Sequence, residues 1–197
     1  MKTLPYRIEE NTALRLNAVA MLLLALPLVG AMGVQLIFHE LPCPLCLLQR
    51  IGMFAVAFGL ILNLKYGSHP LHYGLSSLGA IIGAAVSLRQ IVLHIVPVAG
   101  EPTGFGAEVL GMHLYTWAFV VFVCSMIGIA LLLIFTQWQS KDAPTAMDTA
   151  HPREMTRLEK FAVWLFVVLL AANVILAFLE CGFGACPDNP SAYMMLQ

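Results

Sequence analysis

Pro42-Cys43-Pro44-Leu45-Cys46-Leu47-Leu48-Gln49-Arg50 puts two cysteines, separated by two residues, at the entrance of an apolar run, with an arginine four residues beyond the second. A C-x-x-C pair can be a redox centre, half of a metal site or plain packing. Which of these applies depends on where the rest of the chain places it.

The surroundings are those of a membrane protein. Of 197 residues, 60% are hydrophobic and 11% are charged, against roughly 25% charged in a soluble domain. The few basic residues form no patch, which excludes a polyanion-binding protein. The apolar content excludes a disordered chain. Apolar stretches recur at the length of about 20 residues that a bilayer crossing needs. The expected fold class is all-α: a polytopic membrane protein with a four-helix bundle core and a fifth transmembrane helix.

The expected spans run over about 16–38, 45–64, 72–96, 112–135 and 161–179. Residues 1–137 form the core, 138–160 a linker, and 161–197 the fifth span with its tail. Residues 1–13 carry Lys2 and Arg7 but also Glu9 and Glu10. The apolar run that follows exceeds a signal-peptide h-region and is expected to stay as the first span. Pro27 is expected to kink it. Gly79-x-x-x-Gly83 in the third span would let another helix approach closely. Tyr115, Trp117 and Trp138 are placed like interfacial aromatics. Phe105, Val109 and Leu110 suggest that part of loop 97–111 lies on the membrane surface.

Lys and Arg counts orient the chain. Lys2, Arg7, Arg15, Lys65, Lys141, Arg153, Arg157 and Lys160 fall on one side, which is then cytoplasmic. Only Arg50 and Arg89 lie towards the other. The N-terminus is inside and, after five spans, the C-terminus outside. Cys43, Cys46, Cys181 and Cys186 therefore share the outer face, where disulfides persist. Cys124 falls mid-span and reads as an inert buried thiol.

The chemistry of the first pair follows from its place. Cys46 lies near the start of the second helix, where unpaired N–H groups favour a thiolate, and Pro44 suits an early helical position. Arg50 shares a helix face with Cys46, and an arginine inside the membrane is by default a functional candidate. The bland alternative is a static disulfide with Arg50 snorkelling to lipid phosphates. Cys181-x4-Cys186 lies in a segment whose Gly182 and Gly184 permit a short disulfide loop. This flexible pair beside an embedded one suggests a relay, and its alternative is a disulfide that only ties down the tail. Together the pairs also match the spacing of a four-cysteine zinc site, a reading that leaves Arg50 without a role. Gln90 and His94 share a helix face and are candidates to line the same cavity as Arg50. His39 and His113 lie near the outer face, and each is more often an interfacial residue satisfied by water. His69, His72 and His151 read as solvated.

The run Cys43-Pro44-Leu45-Cys46-Leu47-Leu48-Gln49-Arg50 straight after a first span resembles the disulfide bond formation protein B family, and Gly111-Met112-His113-Leu114-Tyr115-Thr116-Trp117 adds to the likeness. The resemblance covers about residues 14–137. It implies an inner-membrane thiol:quinone oxidoreductase that reoxidises a periplasmic DsbA-like thioredoxin-fold oxidase and passes electrons to the membrane quinone pool, ubiquinone or menaquinone. It implies Cys43 and Cys46 as the quinone-coupled redox disulfide and Arg50 as the quinone-contacting arginine, with Gln90 and His94 near the quinone in an order that departs from the family's. No metal and no nucleic acid are expected. The family's second outer loop normally carries two more cysteines, and loop 97–111 has none. Cys181 and Cys186, expected as a disulfide at the end of an additional span, would replace them as catalytic residues facing the partner. The rival readings are a vitamin K epoxide reductase-like quinone reductase and a non-enzymatic scaffold built on zinc.

Overall fold

The computed structural model describes residues 8–95, 104, 106, 108–136, 152–187, 190 and 192–196. Five helices are long and apolar enough to cross a membrane: α1 (Glu10–Ile37), α2 (Pro44–Tyr66), α3 (Pro70–His94), α4 (Leu114–Phe135) and α5 (Arg157–Cys181). The protein is an all-α polytopic membrane protein. Two short strands, β1 (Glu108–Val109) and β2 (Met112–His113), pair as an antiparallel hairpin before α4, and a 3-10 turn (Met194–Leu196) lies in the tail.

The helix starts are written in local chemistry. Pro44 and Pro70 each open a helix in a position where the missing N–H costs nothing. Thr156 and Glu159 form a reciprocal capping box at the start of α5. That cap explains why α5 begins at Arg157, four residues before the expected start. α1 likewise begins at Glu10, six residues earlier than expected, and continues through Pro27 as one helix. Trp138 lies outside the described residues.

The five helices bury one stripe each and turn apolar side chains outwards. In α1 the buried positions Leu14, Ala18, Met21, Ala25, Leu28 and Met32 recur every three or four residues. Leu23, Leu26 and Val29 between them are exposed. Such a surface suits lipid, which satisfies no backbone polar groups and so demands helices.

Close packing, more than apolar burial, must hold helices together in lipid. α2 packs most extensively on α3, and α3 on α4. A Cβ at Gly79 would run into the backbone of Val56 and Ala55 in α2, and one at Gly83 would run into the Phe122 ring of α4. The glycine pair therefore serves two neighbours at once. α5 is no appendage: it packs on α1 and also reaches α2.

Both ends of the bundle are tied. At one end, Arg153 N–H donates to Lys65 O at 2.8 Å and Ile8 N–H to Phe135 O at 2.8 Å. Asn17 donates there to the Tyr73 hydroxyl at 2.6 Å. The start of α2 and the ends of α1, α3 and α5 meet at the other end, with the start of α4. That end carries the four candidate cysteines.

Candidate functional site

The site begins with the cap of α2. Cys43 is its N-cap, and the Cys43 Sγ accepts the Cys46 backbone N–H at 3.3 Å. The first turn therefore brings the sulfurs to 2.7 Å, with both cysteines free. That is a separation from which an S–S bond, about 2.05 Å long, closes with little movement. The Cys46 backbone N–H and an amide from α3 both lie within hydrogen-bond reach of the sulfurs. The hydrogen bond shared with Cys46, and then burial, push the Cys43 thiol up from its ordinary value.

The amide from α3 is Gln90. Its Nε2 lies 3.3 Å from Cys43 Sγ and 3.4 Å from Cys46 Sγ, and its Oε1 accepts from Gln49 Nε2 at 2.8 Å. Gln90 is fully buried behind the pair. It does not line the cavity that opens in front of it. His94, one turn on, bonds the Gln90 carbonyl at 2.8 Å and stacks on Tyr115, and it lines no part of the cavity either. The turn of α3 points Gln90 into the helix interface, onto the sulfurs.

The cavity has a volume of about 590 Å³. Cys46, Gln49 and Arg50 form its α2 wall, Leu28, Ala31 and Val34 its α1 wall, and Leu114, Tyr115 and Trp117 its α4 wall. His39 and Glu40 of the hinge and Pro190 of the tail also line it. Tyr115 and Trp117, expected only as interfacial aromatics, thus belong to the site. Tyr115 is buried between the rings of His94 and His113, with centroids 5.4 Å and 5.2 Å away. Trp117 Nε1 donates to Val109 O at 2.8 Å and pins the hairpin. That hairpin turns at Leu110 and Gly111, both at positive φ, as a tight two-residue turn requires.

Arg50 is one turn beyond Cys46, and its side chain is buried rather than snorkelling. Nη1 donates to Gln35 Oε1 at 2.8 Å and to Asn173 Oδ1 at 3.5 Å, and Nη2 donates to Ala31 O at 3.2 Å. A guanidinium has five N–H donors. Three of them are used by these contacts among the described residues. Gln35 passes the contact on: its Nε2 lies 3.3 Å from Glu180 Oε2 and 3.4 Å from the Tyr193 hydroxyl.

Cys181 is the last residue of α5 and is buried, and it forms a disulfide with Cys186. The pair expected in a flexible tether is therefore half anchored in a helix end. The tail folds back over it, with Met195 against Gly182 and Tyr193 at Gln35. A four-cysteine zinc site would need Cys181 and Cys186 as thiolates, and their disulfide removes both. Cys124, expected to be buried, is exposed on the outer surface of α4.

Gln35, Asn173 and Glu180 were the residues that sequence reasoning passed over. The signal was present: polar residues inside apolar spans are costly and mark function. Asn173 and Glu180 lie two turns apart on one face of α5.

The profile described as Disulfide bond formation protein DsbB matches residues 13–103. Disulfide bond formation protein B of Chromobacterium violaceum is 40% identical over 111 residues, covering 51% of this chain and 66% of that relative. The same-named protein of Chromohalobacter salexigens is 29% identical, covering 49% and 60%. Disulfide bond formation protein B 1 of Pseudomonas putida is 29% identical over 159 residues, covering 62% and 94%. The first two matches thus span a little under two thirds of those relatives' length. No solved structure matches. Through its α1–α3 region, which holds the Cys43–Cys46 pair and Arg50, the chain is similar to the disulfide bond formation protein B family.

Proposed function

We propose that this protein is a membrane thiol:quinone oxidoreductase that supports disulfide bond formation by reoxidising a periplasmic thioredoxin-fold dithiol oxidase. The observation that carries the reading is Cys46 on the wall of an apolar cavity, one helical turn from a buried arginine that also lines it. The residues fit a quinone head. The cavity is within the 300–1,000 Å³ usual for small-molecule sites, its α1 and α4 walls are largely apolar, and Arg50 and Gln49 supply polar anchors for a quinone oxygen. When bound, the quinone accepts two electrons and two protons.

This chain's own residues do the rest. Cys43, held protonated at neutral pH, leaves Cys46 as the sulfur that carries negative charge, at a helix start and beside Arg50. Gln90 donates to both sulfurs and fixes their spacing. Tyr115, buried between the rings of His94 and His113, forms part of the cavity wall. Closing the Cys43–Cys46 bond releases two electrons towards the cavity.

The electrons enter through the tail. A reduced partner thiolate attacks the Cys181–Cys186 disulfide, and a mixed disulfide forms. The partner's second thiol resolves it, leaving the partner oxidised and the tail pair reduced. The two tail thiols then reduce the Cys43–Cys46 disulfide and return to their own. This requires the cysteine end on the periplasmic face of the bacterial inner membrane with the N-terminus cytoplasmic, as the Lys and Arg distribution supports. The experiment is the double variant Cys181→Ser, Cys186→Ser. It loses oxidation of a reduced thioredoxin-fold partner while retaining quinone binding. Undiminished partner oxidation would leave the tail disulfide as a purely structural tie.

A further inference from the structure

α5 brings a buried acid to the redox site. Glu180 is fully buried, and its Oε2 meets Gln35 Nε2 at 3.3 Å. Its Oε1 has no hydrogen-bond partner among the described residues. Gln35 connects it to Arg50, since Gln35 Oε1 accepts from Arg50 Nη1 at 2.8 Å. A buried polar atom left unpaired in a native fold calls for an explanation.

The explanation lies in charge. Arg50 is buried, and a buried cation is costly unless an anion balances it. Two groups near Arg50 can be that anion. One is the Cys46 sulfur, and the other is the Glu180 carboxylate, and both act on the guanidinium electrostatically. The remaining groups that face this cluster are Cys43 on α2, neutral Gln35 on α1, neutral Asn173 on α5 and the Tyr193 phenol of the tail. Two anions against one cation would leave an excess negative charge in a low-dielectric site, and none would leave the cation bare.

We propose that Glu180 and Cys46 are alternating counter-ions of Arg50, so that Glu180 holds a proton while the Cys43–Cys46 pair is reduced and releases it when the pair is oxidised. This rests on the thiol:quinone reading and extends it to the proton. The balance closes. Cys43 as thiol, Cys46 as thiolate and Glu180 as carboxylic acid become one S–S bond and one carboxylate. Two electrons leave, together with one proton from Cys43 and one from Glu180. Those are the two electrons and two protons that turn a quinone into a quinol. The site carries the same net charge before and after, with Arg50 paired in both states. Glu180 acts through Gln35 and Arg50 and touches neither sulfur, so its part is that of a positioning and charge-balancing residue.

The test is the pH dependence of the Cys43–Cys46 midpoint potential, measured on the full chain in thiol–disulfide buffers and read by peptide-resolved alkylation. It needs no quinone. Across about pH 5–8, where thiol and carboxyl groups of this kind titrate, the wild type takes up two protons per two electrons. Glu180→Gln takes up one, which halves the slope, and Glu180→Asp restores it. A two-proton slope in Glu180→Gln, or a one-proton slope in the wild type, overturns the proposal. Infrared difference spectra of the wild type give a reading that does not depend on any variant folding. Oxidation should remove a protonated-carboxyl C=O band, and an unchanged carboxyl region overturns the proposal as well. Quinone reduction by the wild type separates the two levels. Its absence refutes the oxidoreductase reading, whereas intact turnover with an unaltered slope in Glu180→Gln refutes only the role of Glu180.

Discussion

The two cysteine pairs sit at opposite kinds of helix end. Cys43 and Cys46 bracket the N-terminus of α2, where unpaired N–H groups and the helix dipole favour negative charge. Cys181 closes the C-terminus of α5, where exposed carbonyls disfavour it, and a carboxyl group precedes it directly. The first pair has an amide donor on its sulfurs, and the second is a closed, uncharged disulfide. The difference orders them. A pair whose thiolate is stabilised has a more stable reduced form and is the stronger oxidant. Electrons should therefore run from the tail pair to the α2 pair.

The bluntest way to break that comparison is Cys46→Ser. Quinone reduction should fall to background while a mixed disulfide between Cys181 or Cys186 and the partner still forms, seen on non-reducing gels. Trapping of the partner on Cys43 alone would invert the proposed order. Next is the order of potentials. In glutathione buffers the Cys43–Cys46 pair should be the more oxidising by at least tenfold in equilibrium constant, which is about 30 mV for a two-electron couple. Equal potentials would remove the helix-end argument.

Gln90→Leu removes the donor shared by both sulfurs. One hydrogen bond to a charged group is worth about 1.5–3 kcal/mol, so alkylation of Cys46 at neutral pH should slow by about tenfold or more. Gln90→Glu should not restore it, because an ionised carboxylate cannot donate. The Cys43 thiol is pushed up by its hydrogen bond with Cys46 and by burial, and so stays neutral at pH 7. Limited alkylation of the reduced protein at that pH should therefore label Cys46 before Cys43 in a peptide map. The smallest effect belongs to the cap of the tail. Gly182 sits at φ 61° and ψ −139°, a region open essentially to glycine alone, where a side chain costs about 1–3 kcal/mol. Gly182→Ala should make the Cys181–Cys186 disulfide easier to reduce and leave the α2 pair untouched.

Much of this molecule could be read from the chain before any coordinates. Five apolar runs separated by prolines, glycines and charges determine five helices, because lipid offers the backbone no other way to pair. The motif from Cys43 to Arg50 determines its own local geometry: Pro44 starts the helix, the cap brings the sulfurs together, and four residues put Arg50 on the face of Cys46. Even the close approach at Gly79 and Gly83 is legible, though only the fold shows that one faces α2 and the other Phe122 of α4.

What spacing does not carry is which faces of different helices meet. Gln90 was legible as a helix-face neighbour of His94, but its rotation onto the sulfurs and away from the cavity is set by how α3 packs on α2. Tyr115 and Trp117 read as interfacial residues because the hairpin that folds them over the cavity is a tertiary contact. Gln35, Asn173 and Glu180 lie on two helices more than a hundred residues apart in sequence, and only packing of α5 on α1 and α2 gathers them around Arg50. The sequence alone determined the helices, the reactive pair and its arginine, since these follow from short-range backbone rules and from the demands of lipid. The tertiary structure alone decided what balances that arginine, since a buried charge is answered by whichever polar groups the packing brings within reach.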